Sequence, residues 1–198
     1  MRVWILLLLG GCAPIAALID PPLAQLSRWE GATLAEIAAE PVACPAGHAA
    51  CGPLHLRRAE ACMGLAMAAR APGAACPAAR DHLPCAAQSY AAARATAPDP
   101  RLAAGEAQAR LCLAELLPPA EGAREAALAA TAAAAAPPER RDLLASRAAL
   151  VAARPGAGTV SQRCAAAQAG LRLAAPASRE AADLAARIAS LPACGVHP

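Results

Sequence analysis

Apolar positions along the chain fall into two kinds. Val3 to Leu9 form one unbroken apolar run, and from Leu23 onward apolar residues recur at helical rather than alternating spacing. Punctuation divides this second part into about eight helices. Asp20-Pro21-Pro22 supplies an acid and a proline at a helix start, and the periodic positions Leu23, Leu26, Leu34 and Ile37 predict one helix to Glu40, weakened at Gly31. Pro41 to Pro53 is an irregular segment broken by Pro45, Gly47 and Gly52. A second helix is expected from Leu54 to Arg70, a loop from Ala71 to Arg80, and a third helix from Asp81–Pro84 to Ala97. Asp99-Pro100 opens a helix to Leu117, and Pro118-Pro119 the next, with Glu121 at the positive end of its dipole. Pro137-Pro138 opens another to about Arg154. Thr159 and Gln162 form a capping box for a helix to Ala175, and Ser178 caps the last, with Leu184, Ile188 and Leu191 on one stripe.

Composition supports an all-α reading. About a third of the 198 residues are alanine, the strongest helix former, and the chain has no phenylalanine, one tyrosine and two tryptophans. Alanine buries little area, so the core is thin unless helices approach closely or are crosslinked. The formal charge of +3 is too small and too scattered for a nucleic-acid footprint. All eighteen basic residues are arginine; GC-rich coding, which also explains the alanine, glycine and proline, accounts for this better than selection for guanidinium forks.

The apolar run Val3–Leu9 is too short to span a bilayer, which takes about 20 residues. Preceded by Arg2 and followed by Gly10-Gly11-Cys12, it reads as an export signal. Leu9-Gly10-Gly11-Cys12 resembles a bacterial lipobox. The resemblance implies removal of residues 1–11, acylation of Cys12 and a tether over 12–22, leaving a helical domain at 23–198. An ordinary secretory signal cut after Ala16 or Ala17 is the alternative.

Of the nine cysteines, Cys12 goes to the lipid and eight remain: Cys44, Cys51, Cys62, Cys76, Cys85, Cys112, Cys164 and Cys194. An even number in an oxidising compartment reads as a disulfide framework, with 105 formal connectivities. Cys85 lies twelve residues before the turn at Ala97 and Cys112 twelve after Pro100, so in antiparallel helices they sit level, and Cys85–Cys112 is the expected pair. Cys164–Cys194 ranks second, and Cys44, Cys51, Cys62 and Cys76 are left to pair among themselves. Cys44, His48, Cys51 and His55 also have spacing that offers thiolate and imidazole ligands to zinc. A Cys44–Cys51 staple competes directly with that weaker reading.

Ala86, Tyr90, Ala93 and Pro98 stand at intervals of four, three and five, and Ala126, Ala130, Ala133 and Pro138 repeat them forty residues on, after Leu113-Ala114 in the preceding helix. These positions resemble tetratricopeptide repeats over roughly residues 57–177, with periods of about 38 to 44 against the family's 34. The resemblance implies an array of antiparallel helical hairpins whose concave surface holds a partner. On that basis Tyr90 and the arginines of the helices starting near 81 and 101 face the groove, unless Tyr90 fills the core as in the family. Trp29 is expected in the core or on a partner surface.

No phosphate loop, zinc-protease or hydrolase motif is present, and no Cys-x-x-Cys or haem-attachment motif. The sequence therefore points to no enzyme, no cofactor and no small-molecule substrate. The expected function is a lipid-anchored envelope scaffold with protein partners; resemblance to such lipoproteins implies outer-membrane sorting in a Gram-negative cell, because Ala13 rather than Asp follows the acylated cysteine. A structural accessory subunit of a larger membrane or extracellular complex is the alternative, and a metal-binding periplasmic protein, resting on Cys44, His48, Cys51 and His55, is the weaker third reading.

Overall fold

The structure, a computed structural model, describes residues 20–194. The signal, Cys12 and most of the tether lie outside the described residues, as does His197. Within them, nine α-helices follow one another: α1 Pro21–Arg28, α2 Leu34–Ala39, α3 Cys51–Ala68, α4 Leu83–Thr96, α5 Pro100–Leu116, α6 Pro119–Ala134, α7 Pro138–Ala152, α8 Val160–Leu173 and α9 Arg179–Ala189. A 3-10 turn, Pro192–Cys194, completes them. The chain is all-α and disulfide-stapled, as its composition implies.

Most helix starts lie where local chemistry sets them. Asp20 Oδ1 accepts the Leu23 N–H at 3.0 Å, and Asp99 Oδ1 accepts that of Arg101 at 2.7 Å. Thr159 and Gln162 form a reciprocal capping box, and Ser178 Oγ accepts from Ala181. Proline occupies the first turn of α6 and α7.

The expected helix over residues 20–40 is instead two helices. Gly31 lies in the break, and Thr33 with Glu36 forms a capping box that starts α2 afresh. The break also breaks the expected face: Leu23 and Leu34 are about half exposed, while Trp29 and Ile37 are buried with Ala50, Leu54 and Ala61. Trp29 is thus a core residue. Its indole N–H donates to Glu40 Oε2 at 2.6 Å, fastening α1 to the end of α2.

From α3 on, each helix packs on the next, α3 and α4 across a long loop and the later ones through shorter connections, and α5, α7 and α9 also contact one another in sequence, α5 on α7 and α7 on α9. These three therefore share one layer. Close approach replaces bulk in the main core, which is mostly alanine from α5, α6 and α7 around Leu111, Leu144 and Val151. A Cβ on Gly122 would lie 2.5 Å from the Ala114 carbonyl oxygen, and one on Gly170 would lie 2.5 Å from Ala149 Cβ.

Four disulfides crosslink the array: Cys44–Cys51, Cys62–Cys85, Cys76–Cys112 and Cys164–Cys194. The Cys164–Cys194 expectation and the Cys44–Cys51 staple agree with this pattern. Cys85–Cys112 does not form, and Cys62 and Cys76 do not pair within the first four cysteines. Equal height was a sound constraint but an incomplete one. Cys85 turns from α4 toward α3, where it meets Cys62. Cys112 is buried beside Leu83 and Ala66, and the loop between α3 and α4 folds back to bring Cys76 to it. Four such bonds fit folding in an oxidising compartment outside the cytoplasm. No helix among the described residues is long and apolar enough to cross a membrane.

Candidate functional site

The arginines expected to face a groove from α4 and α5 are largely turned inward. Glu106 of α5 is buried, with a side chain only 5% exposed, and it binds Arg94 of α4 through Oε2 and Arg110 through Oε1. Arg110 continues to Glu125 of α6 at 3.0 Å. This chain of ion pairs ties three helices together. Arg101 is exposed at the start of α5. Tyr90 lies half-buried against Gly105, where a Cβ would come within 2.7 Å of its ring. Burial and the nearby Glu60 raise its phenol pKa, partly offset by Arg140. Glycine at 105 and the ring at 90 thus form one complementary contact between α4 and α5, which favours the core-filling reading of Tyr90.

The candidate metal ligands come together only in part. Ligand atoms of Cys44, His48 and Cys51 lie within 4.8 Å of one another, but the two sulfurs are joined as a disulfide. Both His48 nitrogens are engaged. Nδ1 accepts the Ala50 N–H at 3.1 Å, so Nε2 carries the proton that faces Asp20 Oδ2 at 3.2 Å. His55 is outside the cluster, partly buried in α3, its pKa lowered by burial and by Arg58. What the spacing assembles is a stapled loop that latches the start of α1 to the start of α3.

A broad concavity lies elsewhere, along the layer shared by α5, α7 and α9. Its main part has a volume of about 980 Å³, and an adjoining hollow of about 360 Å³ shares Leu143 and Glu180 with it. The larger part runs along α9 and the later part of α7 to the end of α5, where Glu115, Arg147, Arg154, Arg179, Asp183 and Arg187 surround Leu150 and Val151. The smaller lies at the starts of α7 and α9, where Glu139, Asp142 and Glu180 surround Leu143 and Leu173. The starts of α7 and α9 lie together and so do their ends, so the two helices run the same way.

The charges differ in how far they are satisfied. Arg147 pairs with Glu115 at 2.8 Å, and the exposed Arg179 and Asp183 approach to 3.7 Å. Arg154 donates to the backbone carbonyl of Glu115 at 3.1 Å. Among the described residues, Arg154 and Arg187 meet no carboxylate within ion-pair distance, and Glu139, Asp142 and Glu180 meet no cation. Leu143 is 49% and Leu173 43% exposed in the hollow. The arrangement can therefore receive both apolar and charged groups.

The sequence reading missed this site. Part of its signal was present: α7 and α9 each place an acid in the first turn, and α9 places Arg187 in its last, matching the helix dipole, while Arg154 lies just past the end of α7. What the sequence did not show was that the two helices lie side by side and facing outward. Comparison with family models, with curated proteins and with solved structures gives no match.

Proposed function

We propose that the chain is an exported, lipid-anchored envelope scaffold, without catalytic activity, that holds a segment of a partner protein in the groove along α7. One observation carries the reading. Exposed leucines and charges lacking an ionic partner line the same concave surface, along α7 and α9, and α7 packs on α5, which is itself held by an internal ion-pair chain and a disulfide. Desolvating an apolar floor while pairing charges at the margin is how such grooves bind a protein segment. Support for the anchor comes from Leu9-Gly10-Gly11-Cys12 and from the oxidised cysteines. The packing of α5 on α7 and α7 on α9 supports a hairpin array like that of tetratricopeptide repeats. Of the lining serines, Ser146 and Ser190 donate to backbone carbonyls and Ser178 caps α9, and neither histidine nor cysteine lines the groove among the described residues, which favours binding over chemistry.

The test is a photo-reactive residue placed at Leu143 in the full chain, expressed in its native host. The expected result is an adduct of one fixed mass that Arg154→Glu abolishes. The same residue at Leu128, which is similarly exposed on α6, gives no such adduct. Equal adducts at both positions, or none at Leu143, overturn the docking reading. Intact mass of the natively expressed chain checks the anchor, which predicts loss of residues 1–11 and acyl additions on Cys12.

A further inference from the structure

The groove has a direction as well as a shape. α7 and α9 run the same way, and although Arg140, Arg141 and Arg179 also stand near their starts, the smaller hollow there is lined by Glu139, Asp142 and Glu180 and by no arginine, whereas Arg147, Arg154, Arg179 and Arg187 line the larger part. One end is acidic, with Glu139, Asp142 and Glu180, and the other is basic, with Arg154 and Arg187 lacking carboxylate partners among the described residues. Leu143 stands where the two halves meet.

We infer that the occupant is a bipolar protein segment, basic at one end, apolar in the middle and acidic at the other, seated with its acidic end over Arg154 and Arg187. This rests on the docking reading above and adds the chemistry of the partner. From Glu139 to Arg154 the groove extends about 22 Å at the helical rise of 1.5 Å per residue. That length matches roughly seven residues of extended chain or fifteen of helix. A purely acidic segment would set like charges against Glu139, Asp142 and Glu180, and a purely basic one against the arginines. A second copy presenting the same face also has complementary charge order when reversed, but two concave surfaces cannot fill each other. A rod-like segment can.

Three labelled synthetic peptides test this by fluorescence anisotropy with the full chain at low ionic strength, where surface charges are least screened. All share a leucine-containing centre. One has an acidic and a basic end, one has two acidic ends, and one has two basic ends. The bipolar peptide is expected to bind tightest, by roughly tenfold over either of the others. Arg154→Glu with Arg187→Glu should move the preference to the peptide with two basic ends. Asp142→Arg with Glu139→Arg should move it to the peptide with two acidic ends. Far-ultraviolet circular dichroism of each variant confirms retention of the fold, and single Arg187→Glu, with no ion pair to lose, serves if the double variant unfolds. Failure of the wild-type chain to bind the bipolar peptide, equal binding of all three peptides, or an order unmoved by the variants overturns the inference. So does a concentration-dependent dimer that closes the groove. The docking reading stands or falls separately, on the adduct at Leu143.

Discussion

Arg94 closes on Glu106 across the turn between α4 and α5, its Nη2 2.8 Å from a carboxylate oxygen that solvent scarcely reaches. Arg110 holds the other oxygen from one turn further along α5. Buried ion pairs gain little over apolar packing, but losing one member leaves an uncompensated charge. Glu106→Ala strands two guanidinium groups at once, although Arg110 keeps Glu125. We expect a loss of about 3 kcal/mol in urea denaturation. Arg94→Ala should cost less, since Arg94 is about a third exposed and Glu106 retains Arg110. Equal effects of the two substitutions would show that Glu106 does not organise the pairs.

Gly122, inside α6 against a neighbouring backbone, and Gly31, in the open break between α1 and α2, make a contrast between close packing and free space. Alanine is the better helix former by about 1 kcal/mol. At Gly122 the added methyl would meet the backbone oxygen of Ala114 at 2.5 Å, so α5 and α6 must separate. Overpacking costs about 1–3 kcal/mol, and a net loss of about 1–2 kcal/mol is expected. At Gly31 nothing lies within 4 Å and the backbone is not left-handed, so alanine there should be neutral or stabilising by about 0.5 kcal/mol. Thermal melts of the two variants, moving in opposite directions, check this.

Local chemistry was legible in the sequence, and relations between distant surfaces were not. Asp99, Thr159 and Ser178 mark helix starts because a cap involves only neighbouring residues. The start at Thr33 was legible on the same grounds, but the apolar period across Gly31 masked it. Cys85 and Cys112 show the limit: their height follows from counting, whereas the direction in which each points depends on how α4 meets α3. Likewise the charged positions of α7 and α9 are written in the chain, but the groove exists only because the helix between them, α8, lies outside their layer.

Glu40 offers a pH test of the α1–α2 junction. The Trp29 indole N–H holds its carboxyl below the ordinary glutamate range, with Arg28 and Gln25 adding to this against a partial cost of desolvation. A lowered folded pKa means that the carboxylate form favours the fold. Its contribution is complete above the ordinary value of about 4.5 and fades as pH falls from there through the lower folded value. Glu40→Gln should therefore cost about 1 kcal/mol at neutral pH, modest because the carboxylate is 39% exposed. The gap between variant and wild type should close as denaturation is repeated at increasingly acid pH. A gap that stays constant down to pH 3 would show that Glu40's charge is not what holds Trp29.

The crosslinks should differ in strength because they close loops of different length. Cys76–Cys112 spans 36 residues and Cys44–Cys51 only seven. Loop-closure entropy assigns about 4 kcal/mol to the first and about 2 kcal/mol to the second. Cys76→Ala with Cys112→Ala should therefore lower the denaturation midpoint more than Cys44→Ala with Cys51→Ala. The longer bridge also anchors the loop carrying Ala75 to the groove wall, and Arg147 approaches its sulfur at 3.7 Å, so its loss should loosen the basic end as well. Pairing itself is checked without mutation. Cleavage after arginine under non-reducing conditions should join residues 71–80 to 111–124, and 59–70 to 81–94. Recovery of 81–94 joined to 111–124 would instead restore the pairing that helix height alone suggests, and would require α4 to turn its Cys85 face from α3 toward α5.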